Sequence, residues 1–361
     1  MGLSIKQLRE QLEYEIKRSS KVFIVGHNSP DFDSIGACVG LQSLAANYGK
    51  KSFIIVDDDE IQIEPGVKRL INENKDKFQI IKKSDYLELV DDKSLVIVTD
   101  VNKPDRISIG DSLDKARTII VIDHHNEDET SIKTNKKFIS LEVSSASEVV
   151  ARILISQKVR YPASVANFLL AGINLDTHRF KQNTTSKTHD VAEKLIDRGA
   201  SIDYINSLFL EEFESYCRIN NLIIFGTNIK KYSESLAPIQ ISFTLNRTNP
   251  RGIYLKEDFA KAADQMMKFN GIDASFVLGY VDEETVHISA RGGKKVNVGE
   301  IMKAMHGGGN MCSAGTRIKT DDIGKVEEEL MSKIGLGISS DEELIEEGQT
   351  VKQYRKRISK I

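Results

Sequence analysis

The sequence predicts an α/β protein: a parallel sheet covered on both faces, followed by a smaller α+β domain. Three observations carry this. Short apolar runs rich in β-branched residues recur at Val22–Val25, Ser52–Val56, Ser94–Thr99 and Thr118–Ile122. Helical patterns such as Ile35–Tyr48 separate most of them. From about Pro238 the pattern changes to alternating strands. Continuous apolar strands interleaved with helices indicate strands buried on both sides, and alternation indicates a sheet of a different kind.

In chain order, Ser4–Ser19 opens with apolar residues at Ile5, Leu8, Leu12 and Ile16, one face of a helix. The four apolar runs and their helices follow. Ser147–Lys158, Ala163–Leu170 and His189–Arg198 then read as helices, and Asp203–Lys231 as one or two linking helices. The later strands are Ile239–Leu245, Ala274–Val281 and Thr285–Ala290, with a helix at Phe259–Phe269. The expected division is a first domain over 1–202, a helical linker over 203–232, a second domain over 233–337 and a charged tail over 338–361.

Composition narrows the function. The 361 residues carry 50 Lys+Arg against 53 Asp+Glu, a net charge of −3, which argues against binding duplex nucleic acid by bulk charge. Three scattered cysteines, Cys38, Cys217 and Cys312, suggest a reducing cytoplasm. No apolar run approaches the ~18 residues of a membrane span, and the charged N-terminus is no signal peptide.

Four segments put Asp or His just after an apolar run that reads as a strand. They are His27 to Asp33 after Val25, Asp100 after Val98, Asp123-His124-His125 after Ile122, and Asp176 after Phe168–Leu175. A single such Asp is commonly a helix cap or turn residue, and a single His is commonly structural. Ends of parallel strands converge on one edge, so five carboxylates and three imidazoles would share one small volume. Bare carboxylates that close repel each other. Divalent cations remove the repulsion, and mixed carboxylate and imidazole donors suit manganese, iron or zinc more than calcium.

These segments resemble the motifs of the DHH phosphoesterase superfamily: HxxxDxD (His27, Asp31, Asp33), a second-strand Asp (Asp100), the DHH triplet (Asp123, His124, His125) and a later Asp-Thr (Asp176, Thr177). The resemblance implies a Rossmann-like first domain and two divalent ions, manganese being the expected metal. His27 and Asp31 would hold one ion, Asp33, His124 and Asp176 the other, and Asp100 would bridge both. Asp123 would orient the neighbouring histidines, and His125 would face the substrate or leaving group. The second domain resembles the DHH-associated domain through Ser289-Ala290-Arg291-Gly292 and the Gly307-Gly308-Gly309-Asn310 run, which would contact nucleotide and phosphate. Glycines there let backbone N–H groups approach an anion, and Arg291 can bind phosphate through two parallel bonds.

Within the superfamily the likeness is to the catalytic half of GdpP-type cyclic-di-AMP phosphodiesterases, carried also by Ser144-Ser145-Ala146-Ser147-Glu148 and Asp176-Thr177-His178-Arg179-Phe180. Two departures stand out. The family's membrane helices, PAS domain and degenerate GGDEF domain are missing ahead of this region, so the chain reads as an excised catalytic portion or a naturally soluble form. The histidine that follows the family's glycine run is Asn310, a neutral amide with altered phosphate binding expected.

The resemblance implies a manganese-dependent phosphodiesterase in which two ions activate a shared water for in-line attack on phosphorus. Asp100 and His125 would serve the chemistry, with Arg291 balancing charge on phosphate. The expected partner is a small nucleotide: cyclic di-AMP opened to pApA, or pApA cut to AMP. Nano-RNase or pAp-phosphatase activity on short linear substrates is an alternative, and a sensor that binds without hydrolysis is another. The oligomeric state stays open, a homodimer included.

Overall fold

The computed structural model describes residues 3–56, 63–232, 239–246, 254–293 and 295–338. The chain divides into two units, Met1–Leu210 and Glu211–Ile361.

The apolar runs of the first unit form β1 (Val22–Val25), β2 (Ser52–Ile55), β4 (Leu95–Thr99) and β5 (Thr118–Asp123), joined by the short β3 (Ile80–Ile81) and β6 (Lys137–Ile139). Strand order is β3-β2-β1-β4-β5-β6, with every neighbouring pair parallel. The chain builds outward from β1 to β3, then returns to lay β4 against the other side of β1. Connections on either side of that reversal diverge, which opens a crevice at the carboxyl ends of β1 and β4.

Burial explains why these strands are apolar without alternation. Val22 and Ile24 join a core with α1 (Ile5–Arg18), α2 (Phe32–Asn47), α5 (Ala146–Ser156) and α6 (Ala163–Asp176). Phe23 and Val25 face the opposite side, against Phe53, Tyr86 and Ile109. The remaining helices of this unit are α3 (Pro65–Asn72), α4 (Lys83–Leu89), α7 (Ser186–Asp197) and α8 (Ile202–Leu208).

Two expectations are corrected here. Phe168–Leu175 is no strand, and Asp176 is the last residue of α6. A helix buried on nearly all sides reads in sequence as a continuous apolar run, as a buried strand does. Helix α6 is such a helix, buried at Phe168 through Asn174. The linker, in turn, is only partly helical: α9 (Phe213–Gly226) ends where β7 (Thr227–Tyr232) begins. Strand β7 is an edge strand carrying two lysines, and edges of that kind lack the apolar signature of a central strand.

The second unit holds β8 (Ile239–Asn246), β9 (Ala274–Tyr280), β10 (Thr285–Gly292), β11 (Gly308–Gly309) and β12 (Ser313–Lys319), with α10 (Lys256–Met266), α11 (Val298–Lys303) and α12 (Ile323–Lys333). Its sheet runs β11-β12-β10-β9-β8-β7, antiparallel except for the parallel β8–β9 pair. Val286, Ile288 and Ala290 of β10 pack with Ile301, Met302 and Leu330. Val277 of β9 packs with Phe259 and Ala262 of α10. The tail after Ile338 lies outside the described residues.

Candidate active site

Three strand ends and one helix end meet in the first unit. His27 follows β1, Asp100 follows β4, His124 and His125 follow β5, and Asp176 closes α6. His27 Nε2 lies 3.5 Å from Asp31 Oδ2 and 3.4 Å from Asp100 Oδ2. His124 Nε2 lies 3.2 Å from Asp100 Oδ1, 3.2 Å from Asp176 Oδ2 and 3.8 Å from Asp33 Oδ2. One triad is thus His27, Asp31 and Asp100; a second is Asp33, His124 and Asp176; each offers ligand atoms within 4.8 Å of one another. Asp100 touches both through its two oxygens.

Local structure fixes each donor. Asp31 is the N-cap of α2: its Oδ1 accepts from the amides of Asp33 and Ser34 at 2.9 Å, which leaves Oδ2 toward His27. Asp33 is buried, and its two oxygens accept from the amides of Ala146 and Ser147 at 2.7 Å each. Those amides open α5, where the helix dipole favours negative charge. Asp100 sits at φ 61° with its amide donating to Ile122 O at 2.9 Å. A left-handed backbone on a buried non-glycine residue costs about 1–3 kcal/mol, a strain typical of functional positions. Thr177 donates to Ile173 O at 2.6 Å and accepts from the amide of Phe180 at 3.0 Å, closing α6 directly after Asp176.

Asp123 holds the histidines. Its Oδ1 accepts from the His124 amide at 2.8 Å and lies 2.9 Å from His125 Nδ1. Its Oδ2 accepts from Asn102 Nδ2 at 2.6 Å, and Ser131 donates to Asn102 in turn. His125 is 60% exposed and lines a cleft of about 590 Å³. Sequence reasoning missed Asn102 and gave no role to Glu148. The Glu148 carboxylate accepts from the Ser144 hydroxyl at 2.6 Å and the Thr188 hydroxyl at 3.0 Å, tying the Ser144–Ser147 turn to α7.

Crowding shows in the protonation. Burial opposes charge on His27, yet its bonds to Asp100 and Asp31 push it up to about 10. Burial likewise opposes charge on His124, and Asp100 and Asp33 raise it to about 9. Burial would raise Asp100, but His124 and His27 hold it down at about 2. Burial and the neighbouring carboxylates push Asp33 up to about 7 and Asp176 up to about 11. For His125 the bond to Asp123 comes first, and the shift is upward. Protons here do the work of cations. Asp100 Oδ1, His124 Nε2 and Asp176 Oδ2 are buried without a hydrogen-bond partner, though they converge on each other. Buried oxygen and imidazole atoms aimed at a common point fit divalent cations of the manganese or zinc kind.

The second unit carries the other predicted residues. His287, Ser289 and Arg291 alternate along β10 and so share one face. Ser289 is buried, with Oγ 3.0 Å from His287 Nε2. Arg291 donates from Nε to Asp264 Oδ1 at 2.5 Å, from Nη2 to Asp264 Oδ2 at 3.2 Å and from Nη1 to Ala290 O at 3.1 Å. The glycine run is a strand lying along β12: Gly309 has φ 142°, and a Cβ on Gly307 would fall 2.3 Å from Gly315 O. Gly308 alone faces open space. Asn310 Oδ1 accepts from the amides of Cys312 and Ser313 at 2.9 and 2.8 Å. His306 also has positive φ and has no described role at the site.

The DHH family, N-terminal domain, matches residues 21–173, and the DHHA1 domain matches 252–335. The chain is a DHH–DHHA1 protein. Cyclic-di-AMP phosphodiesterase GdpP of Bacillus subtilis (strain 168) is 32% identical over 327 residues, covering 88% of this chain and 48% of that protein. The DHH–DHHA1 chain therefore spans about half the length of the curated relatives it matches. Among solved structures, an exopolyphosphatase-related protein from Bacteroides fragilis aligns over 92% of this chain and 97% of its own, with a TM-score of 0.70 at 20% identity. RecJ from Thermus thermophilus in complex with Mn2+ aligns over 92% of this chain and 54% of its own, at 12% identity and a TM-score of 0.51. Those two likenesses show the fold. Among the described residues no helix is long and apolar enough to cross a membrane.

Proposed function

We propose that this DHH–DHHA1 chain hydrolyses a phosphodiester bond of a small adenine dinucleotide, cyclic di-AMP to pApA and then pApA to AMP, with two divalent ions, manganese first. The carrying observation is the pair of triads joined by Asp100, which belongs to the first and lies 3.2 Å from His124 of the second. The substrate is suggested by the likeness to the phosphodiesterase GdpP, and the metal by the manganese in the RecJ relative.

His27 and Asp31 would hold one ion; Asp33, His124 and Asp176 the other; Asp100 both. Divalent ions held there would supply Lewis acidity toward a phosphate and lower the pKa of an attacking water. The remaining chemistry belongs to the chain. The helix α5 amides hold the Asp33 carboxyl group in place, and Asp123 fixes the His125 ring through Nδ1. The raised proton affinity of His125 leaves its exposed Nε2 able to give a proton to the departing 3′-oxygen. In the second unit, Arg291 and Ser289 would bind phosphate oxygens, Gly308 would let a ligand approach the backbone, and Asn310 would offer the amino group that its own loop leaves unused.

Product analysis on cyclic di-AMP, pApA and pAp with manganese tests this. Turnover of cyclic di-AMP, abolished separately by Asp31→Ala, Asp100→Ala and His124→Ala, is the expected result. Activity retained in all three variants rules out the two-ion reading. A strong preference for pApA or pAp moves the substrate to short linear nucleotides.

A further inference from the structure

The cleft beside the two triads extends past the metal-ligating cluster. Beyond His27, Asp31 and Asp100 it is lined by Asn28, Lys103, Arg106 and Asn126. Its lysine and its arginine are in different states. Lys103 is spent: Nζ pairs with Asp128 and donates to Thr130 Oγ1 at 2.9 Å and Ser131 Oγ at 3.2 Å. Arg106 is exposed, and among the described residues its guanidinium makes no hydrogen bond or ion pair. Its backbone is nevertheless firmly set. Arg106 closes the 3₁₀ turn Pro104–Arg106, its amide donates to Lys103 O at 3.2 Å, and its carbonyl accepts from the Asn28 amide at 2.7 Å. Gly110 backs that turn so closely that a Cβ there would fall 1.8 Å from Pro104 O. Asn28, bonded to this turn and lining the same cleft, has a buried Oδ1 with no partner.

We propose that Arg106, with Asn28 beside it, forms a second subsite in the first unit that takes the phosphate of a nucleotide unit not undergoing cleavage. A guanidinium on a rigid turn, unspent on protein carboxylates, offers two parallel N–H donors to a phosphate. Asn28 lines the cleft beside it, and its amide side chain can bond a ribose hydroxyl or a base amine. One ligand class suits both residues while its reacting phosphate lies at the triads: a dinucleotide with two phosphates. A mononucleotide has a single phosphate and cannot occupy both places. The subsite rests on the phosphodiesterase reading above, and it adds a reason for the chain to prefer dinucleotides over AMP.

The test is calorimetric titration of the full manganese-loaded chain with a hydrolysis-resistant methylenephosphonate analogue of pApA, and separately with AMP. Arg106→Gln should weaken the analogue about 10-fold and AMP less than twofold, with Arg106→Lys between wild type and Gln. Equal affinity of wild type and Arg106→Gln for the analogue overturns the subsite while leaving the phosphodiesterase reading intact. Equal weakening of the analogue and AMP also overturns it, because Arg106 would then act on the phosphate at the triads. A wild-type chain that binds neither ligand and cleaves no dinucleotide removes the functional reading itself.

Discussion

Gly172 of α6 lies so close to Asp33 of α2 that a Cβ at position 172 would stand 2.8 Å from the Asp33 Cα. The same Cβ would meet Ser147 Oγ at 2.4 Å, on the residue whose amide binds the Asp33 carboxylate. This three-way contact sets the distance between the helix that carries Asp33 and the helix that ends in Asp176. Gly172→Ala must push the helices apart or displace Ser147, because both obstacles are tightly packed. Overpacking of this kind costs about 1–3 kcal/mol of stability. We expect manganese affinity to fall at least 10-fold in the folded variant, read by electron paramagnetic resonance titration. Unchanged affinity would show that Asp33 and Asp176 do not need this spacing.

Protons would compete with divalent ions for the cluster. At neutral pH the metal-free site holds protons on His27 and His124, whose affinities are raised to about 10 and about 9, and on Asp176, raised to about 11. Metal ligation requires neutral imidazole and ionised carboxylate, so binding must expel protons. The sign follows: apparent manganese affinity rises with pH through the neutral range and levels off only when the cluster has lost its protons unaided. The sites are coupled, so the release belongs to the cluster as a whole. Calorimetry at pH 7 in buffers of different ionisation enthalpy should count more than one proton released per chain. A count of zero contradicts this account, and His27→Ala should reduce the count.

Much of this site was legible in the residues, and the exceptions have physical causes. His27, Asp31, Asp33, Asp100, His124 and His125 follow strands whose unbroken apolar runs announce a parallel sheet, so their convergence could be anticipated from topology. Asp176 could not be placed on its element, since α6 is buried on nearly all sides and carries no polar stripe to betray its period. Asn102 and Glu148 stayed silent for another reason. Their roles exist only through partners brought in by the fold, Asp123 for the first and Thr188 for the second, and no spacing encodes such a meeting. In the second unit, Gly307 and Gly309 read as phosphate-binding glycines. Yet their packing against β12 already requires them, and only Gly308 has room to spare.

Arg291 is held by Asp264 through Nε and Nη2 and by the Ala290 carbonyl through Nη1, which fixes the direction of its guanidinium. Asp264 stands about half exposed on α10, so it can orient Arg291 without burying a charge. A carboxylate in that position trades some attraction for a fixed direction. Asp264→Ala should therefore raise KM for the dinucleotide about fivefold with kcat changed less than twofold. A fall in KM would mean instead that Asp264 competes with the phosphate for Arg291.

His287 gives the second unit its own response to acid. Burial, reinforced by the charges of Lys256 and Arg317, lowers its proton affinity from 6.5 to about 4. The folded chain thus keeps the imidazole neutral where the unfolded chain would protonate it. Stability from this group is complete above pH 6.5, declines as pH falls from 6.5 toward 4, and is constant below. The whole step amounts to roughly 3 kcal/mol at most, since each tenfold change in proton affinity is worth about 1.4 kcal/mol. His287→Gln keeps a polar side chain near Ser289 but removes the titration. Hydrogen exchange of β10 measured by mass spectrometry in the full chain should show wild type losing protection between pH 6.5 and 4 more steeply than the variant. Parallel pH profiles for the two proteins would remove His287 as the source.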